Sequence, residues 1–438
     1  MSDTVQPVST APAIPASPAG AARPGLLSLD EAVAGLLAVA SERVISQTEE
    51  VPTLQAWGRV LAEDVRSGLD VPPADNSSMD GYALRVADVP AAGTVLPVSQ
   101  RIPAGVVGGL LTPGSTARIF TGAQIPAGAD AVVMQEQCVP LRDPSVQSAV
   151  QSSVRVEAVP APGQWIRRRG EDIQVGATVL SRGALLTPQA MGLAASVGRA
   201  ALQVLRRPRV ALFSTGDELA MPGEPLKPGG IYNSNRFTLT GLLQASGCEV
   251  KDLGIVPDRL EATREALRRA AQGVDLILAS GGVSVGEEDH LKPAMQLEGR
   301  LDLWQVAMKP GKPLAFGAVR RADGSEALFV GMPGNPVSSF VTFLLTVAPL
   351  LRALQGRPAV APVAYPMRAD FDWPRPDRRR EFLRVRLNNQ GGLDLFPNQS
   401  SGVLTSTVWA DGLVDVPAHQ PIARGEMVRF LPLHALLG

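Results

Sequence analysis

The chain has 438 residues, too many for one ordinary core, which points to about three domains. Its 41 basic and 42 acidic residues leave a net charge of −1, which excludes a nucleic-acid binder working through a general basic field. Two cysteines, Cys138 and Cys248, cannot form a disulfide framework, and His290, His419 and His434 are too few and scattered for a zinc site, a composition that suits a reducing cytoplasm.

Residues 1–25 are rich in Ala, Pro and Ser, with neither the basic start nor the apolar stretch of a signal peptide, and are expected to be disordered. No run of 18 apolar residues predicts a membrane span. Ser28-Leu-Asp-Glu31 is a capping-box pattern ahead of the apolar helix AVAGLLAVA. Over 71–162, short runs such as TARIF and AVVMQEQ between PAG, TPG and TGA turns predict a β-rich unit inserted between segments 26–70 and 163–207. From 208 to 356 strands and helices alternate, the pattern of a doubly wound, mostly parallel α/β sheet. In its last helix, Val337, Phe340, Val341, Leu344, Leu345 and Leu351 share one apolar face. Residues 357–438 return to short strands and turns, a small β domain.

Ligands bind such sheets at the carboxyl ends of the strands. Four loops fall at or just past those ends: STGDEL (214–219), Pro257-Asp258, SGGVSVGEED (280–289) and GMPGNPVSS (331–339), with KPGKP (309–313) between two strands. Gly282-Val-Ser284-Val-Gly286 also fits a hydrolase nucleophile turn, but that reading needs a histidine for Ser284 and none is well placed. A tight turn with solvated acids is the plain alternative. A phosphate cradle uses more of the stretch, since Gly281, Gly282 and Gly286 admit backbone N–H groups to a phosphate and the acids attract Mg²⁺.

The neighbouring loops carry similar alternatives. Asn335-Pro336 reads as a helix start, whose open N-terminus also favours an anion. Asp258, with Glu261 three residues on, reads as a helix cap as readily as a catalytic acid. Asp217 and Glu218 fit a solvated turn, and Asp80-Gly81 an ordinary Asp-Gly turn. Lys309 and Lys312 brace Pro310-Gly311 into a stiff cationic turn suited to a small oxyanion. Together these loops describe a site for a multiply charged phosphate ligand, a divalent metal and an extra anion.

DNSSMDGYA, TGAQIPAGADAVVMQE, IRRRGED, FSTGDEL, SGGVSVGEED, KPGKP and GMPGNPVS, in this order, resemble the MoeA-type molybdopterin molybdenumtransferases, relatives of the C-terminal part of gephyrin. The resemblance runs from about residue 26 to the end. It implies insertion of molybdate into adenylyl-molybdopterin, with Mg²⁺ present and AMP released, to give molybdenum cofactor. It implies an elongated cytoplasmic homodimer of four-domain subunits, in which 26–70 and 163–207 form a linking domain and a cleft is shared between subunits. Its handover partners would be a molybdopterin adenylyltransferase and molybdoenzymes or their chaperones.

Carried over by motif, Asp80, Thr121, Arg167 and Asp172 would come from the partner subunit's side of the cleft. Glu218, Asp258 and Asp289 would be the acids of the nucleotide-binding sheet, with Asp289, Asp80 and Glu218 the candidates for Mg²⁺. Ser214, Thr215, Gly281, Gly282, Ser284, Gly286, Pro333, Asn335 and Pro336 would line the phosphate and cofactor loops. Lys309, Lys312 and Ser338 would hold molybdate, helped by Arg384 and Ser401 from the last domain. One departure stands out: Gln305 occupies a place where family members often carry a second lysine.

Overall fold

The computed structural model describes residues 26–141, 153–282, 290–358 and 360–437, which form two compact units. The second unit comprises Glu50–Trp57 and Leu61–Val204, and the first comprises the remaining described residues.

In the first unit, three strands are apolar on both faces and so take the middle of a covered sheet. The strands in chain order are β1 (Arg209–Thr215), β2 (Glu249–Val256), β3 (Leu276–Ser280), β4 (Gly299–Gln305), β5 (Pro313–Arg320) and β6 (Glu326–Met332). Their spatial order is β2-β1-β3-β6-β5-β4. The first four are mutually parallel, while β5 and β4 add an antiparallel edge.

Helices cover both faces. Leu239, Leu242 and Leu243 from Ser234–Ala245 share one core with Leu36 and Val337, and Leu267 and Met295 pack with Phe213 and Phe329 in the other. The helix Leu29–Ser41 has the expected capping box, with Glu31 N–H donating to Ser28 Oγ at 3.2 Å. Its buried residues, including Leu29, Ala32 and Leu36, join the core of the α/β unit, although the resemblance assigns segment 26–70 to a linking domain. The Ile45 N–H donates to the Leu354 carbonyl at 2.8 Å, and Arg43 pairs with Glu326 at 2.7 Å.

The helix Pro336–Leu354 is long and apolar enough to cross a bilayer, but 78% of its most apolar stretch is buried inside the protein. Burial extends beyond the expected stripe to Phe343, Val347, Leu350 and Leu354, because sheet, Leu29–Ser41 helix and terminal domain pack around it. The terminal β domain orders its strands as Met308–Lys309, Arg380–Leu387, Gly392–Leu395, Tyr365–Ala369, Met427–Pro432 and Gly412–Val416. Arg380–Leu387 also pairs with Gly412–Val416, which closes the sheet.

In the second unit, alternating short strands form a six-stranded sheet around Tyr82, Leu84, Ile102, Ile119 and Val133. A further core, built on Leu61, Leu186, Ala194 and Val204, includes the helix Pro188–Ser196. Cys138 and Cys248 are free, and burial pushes each thiol up to about 12.

Candidate active site

Strand register gathers the suspected loops of the first unit. Thr215 is opposite Val256, Ser214 opposite Ser280, and Ser280 opposite Met332, so β1, β2, β3 and β6 end side by side. Ala315 lies opposite Gly331, which brings the KPGKP turn to the same edge. The Gly281 N–H donates to the Met332 carbonyl at 3.2 Å. A Cβ on Gly281 would sit 2.7 Å from the Thr215 carbonyl oxygen, so glycine lets two strand-end loops touch. Ser284, Gly286 and Asp289 lie outside the described residues.

Acids occupy one end of this edge. Glu218 folds back over Gly216, where a Cβ would meet Glu218 Oε2 at 2.5 Å. The Asp258 backbone N–H donates to Asp217 Oδ1 at 3.1 Å, tying the STGDEL and Pro257-Asp258 loops together. Asp258 is not the helix cap expected from the sequence. The following helix starts at Leu260, with Arg259 in the cap position and no side-chain cap bond. One residue's shift leaves the Asp258 side chain out of that role.

Two asparagines missed by the sequence reading brace the edge. Asn235 Nδ2 donates to Ser280 Oγ at 2.9 Å and to the Gly334 carbonyl at 2.8 Å. Asn233 caps the Ser234–Ala245 helix by accepting from the Arg236 N–H, and Ser214 Oγ reaches Asn233 Oδ1 at 3.4 Å. Ser214 and Thr215 are themselves buried, which makes them braces of the loop. The signal was legible, since Asn233 precedes a helical run and fits a cap.

Cations occupy the other end. Lys309 and Lys312 flank Gly311, which has φ +111° and packs so closely that a Cβ would meet Thr342 Oγ1 at 2.3 Å. Lys309 is not the free cation its spacing suggests: its Nζ lies 2.9 Å from Glu381 Oε1 and 3.4 Å from Asp377 Oδ2. Lys312 is exposed. Hydrogen bonds from Arg379 hold the Asp377 carboxyl well below the usual carboxylate range.

Asn335 does precede the helix, with Pro336 at its first position, but its side chain makes no cap bond. Instead the Val337 N–H donates to the Ser401 carbonyl at 3.0 Å, bringing Ser401 to the helix start beside buried Pro333 and Ser338. Arg384 is 1% exposed and, among the described residues, reaches only neutral oxygens, Ser406 Oγ at 3.2 Å, the Ser400 carbonyl at 3.3 Å and the Phe382 carbonyl at 3.4 Å. Burial pulls its guanidinium down to about 10. A buried cation with no carboxylate partner among the described residues suits an incoming anion.

The second unit assembles its own candidates. Asp80 Oδ1 accepts from the Thr121 N–H at 2.8 Å and from its hydroxyl at 2.7 Å, and these bonds lower the Asp80 carboxyl. Asn76 and Ser77 pair with Arg167 and Ile166, while the Gly122 N–H donates to the Ser77 carbonyl. Arg168 and Arg169 are committed to Asp75 and Asp70, leaving Arg167 exposed and outside any ion pair among the described residues. The Asp172 N–H donates to the Val71 carbonyl while its carboxylate faces solvent.

The chain is similar to known proteins along most of its length. Residues 27–198 match the family described as MoeA N-terminal region (domain I and II) and 366–433 match MoeA C-terminal region (domain IV). Residues 211–353 match a probable molybdopterin binding domain. The molybdopterin molybdenumtransferase of Haemophilus influenzae is 38% identical over 399 residues, covering 90% of this chain and 96% of the relative. The chain belongs to the MoeA family of molybdopterin molybdenumtransferases.

A second MoeA-family relative, molybdopterin molybdenumtransferase 2 of Mycobacterium tuberculosis, is 38% identical over 379 residues, covering 84% of this chain and 90% of the relative. The crystal structure of the molybdopterin biosynthesis MoeA protein from Pyrococcus horikoshii OT3 superposes with a TM-score of 0.77 at 30% identity, over 93% of this chain and 100% of the other. Membership in the MoeA family makes the chain a transferase of molybdenum cofactor synthesis and sets aside the hydrolase reading of Ser284.

Proposed function

We propose that the chain inserts molybdate into adenylyl-molybdopterin and releases AMP, using the strand-end loops for the nucleotide and the KPGKP region for the oxyanion. The observation that carries this reading is the separation of charge along one sheet edge. Asp217, Glu218 and Asp258 gather at the ends of β1 and β2, and Lys309, Lys312 and Arg384 lie toward β5 and the terminal domain. A phosphoanhydride with its metal suits the acidic end, and the molybdate dianion suits the cationic end. Keeping them apart stops the acids at the ends of β1 and β2 from repelling molybdate.

Mg²⁺ fits the donor set, because every nearby acid offers hard oxygen ligands. Among the described residues no three acids converge on one point, so carboxylates from separate loops, with water and phosphate oxygens, would share the ion. Glu218, Asp80 and Asp289 are the residues proposed for that role. When bound, Mg²⁺ neutralises phosphate charge as a Lewis acid. Thr121 holds Asp80 ionised and oriented, and Arg384 and Lys312 offer fixed positive charge to the oxyanion.

The same reading includes a cytoplasmic homodimer. Asp80, Thr121, Arg167 and Asp172 of one subunit would complete the cleft of the other, with an adenylyltransferase supplying substrate and molybdoenzymes or their chaperones receiving product. Supplying adenylyl-molybdopterin, Mg²⁺ and molybdate tests the proposal. AMP and metal-loaded cofactor should both accumulate; if neither does with folded protein, the reading fails.

A further inference from the structure

Glu381 is the most buried carboxylate beside the proposed oxyanion end, at 1% exposure. Its Oε2 is fixed by two neutral donors, Trp373 Nε1 at 2.9 Å and the Asp377 N–H at 2.8 Å. Its Oε1 has no aligned hydrogen-bond donor among the described residues and lies 2.9 Å from the Lys309 ammonium. Asp377, 3.4 Å from the same ammonium, is already bound twice through its side chain by the Arg379 guanidinium at 3.0 Å. The backbone fixes this meeting, because Lys309 stands opposite Glu381 in the parallel pairing of Met308–Lys309 with Arg380–Leu387.

A lysine ammonium has three N–H donors. Two carboxylates lie within 3.4 Å of the Lys309 ammonium and Glu381 Oε1 accepts no aligned N–H from it, so its donors are open to an oxyanion while its charge is not. Lys309 cannot simply leave for molybdate, since a buried carboxylate stripped of its cation is strongly unfavourable. The dianion therefore meets a cation whose charge is already shared, and a fixed negative charge stands behind it.

We propose that Glu381 sets the strength of the oxyanion end, holding Lys309 in place while weakening its attraction for molybdate. The inference rests on the proposed placement of molybdate at Lys309. Glu381 positions and tempers Lys309, and does not itself touch substrate. Glu381→Gln keeps an oxygen for Trp373 and Asp377 but removes the charge, and turns an amide N–H toward Lys309. Molybdate should then bind more tightly, by about tenfold. Structural damage would not raise affinity, so the sign separates this role from a merely structural one.

The test is equilibrium dialysis of sodium molybdate against the full-length protein, with folding checked by circular dichroism. Wild type, Glu381→Gln, Asp377→Asn and Lys309→Met are compared, together with the Glu381→Gln/Lys309→Met double variant. Asp377→Asn should tighten binding by less than Glu381→Gln, because Arg379 already shares that carboxylate, and it stands in if Glu381→Gln does not fold. Lys309→Met should weaken binding and abolish the gain in the double variant. Unchanged or weaker binding in both charge-removing variants, with Lys309→Met still impaired, overturns the inference alone. If Lys309→Met binds molybdate like wild type, the placement of the oxyanion is wrong and this inference falls with it.

Discussion

Gly311 shows how closely single residues are constrained at the cationic turn. It combines φ +111° with a site where a Cβ would lie 2.3 Å from Thr342 Oγ1. Gly311→Ala should cost about 1–3 kcal/mol in urea denaturation, and adding Thr342→Ala should restore part of it by removing the clash but not the backbone strain. No loss of stability would show that the turn relaxes freely. Asp377 makes a prediction with a definite sign. Its carboxyl is held below the ordinary value of 3.8 mainly by hydrogen bonds from the Arg379 side chain. The stability it lends is complete above the unfolded value and is lost as pH falls through the lowered folded value. The stability gap between wild type and Asp377→Asn should therefore shrink below about pH 4; a gap that widens in acid would refute the assignment. At this scale the sequence showed which residue types gather, but not who neutralises whom. Lys309 reads as free in KPGKP because Asp377 and Glu381 come from a strand and turn far along the chain.

Elements were easier to read than caps. The alternation after Arg209 named the strands and helices of the sheet because buried parallel strands are apolar throughout while their covering helices are amphipathic. Ser28 and Glu31 announced a helix start that the structure contains. Asp258 and Glu261 announced one displaced by a residue, because a capping pattern does not specify which residue turns extended. Arg259 holds that position with extended backbone and no cap bond. Arg259→Ser should therefore stabilise the protein by about 0.5–2 kcal/mol, measured by thermal or chemical unfolding. A neutral or destabilising result would mean that the Arg259 side chain does more for the fold than a cap would.

At the scale of the whole molecule, the proposed site residues are divided between two compact units, with Asp80, Thr121, Arg167 and Asp172 in one and the sheet-edge acids and lysines in the other. If two copies share clefts, Asp80→Ala and Asp289→Ala homodimers should each be inactive, while mixed dimers recover activity at one of two sites. Absence of recovery after verified subunit exchange would place both acids in one chain's site. The division also bears on synthesis. The Leu29–Ser41 helix buries its apolar face in a core that includes Leu350, Leu351 and Leu354. Those partners leave the ribosome about 300 residues later, roughly 15–60 s at ordinary translation rates. Throughout that interval the nascent chain carries an uncovered greasy helix near its start, while the whole second unit is made and can fold behind it. Yield in cells should consequently depend on holdase chaperones and on slow, cool expression more than the stability of the finished protein would suggest.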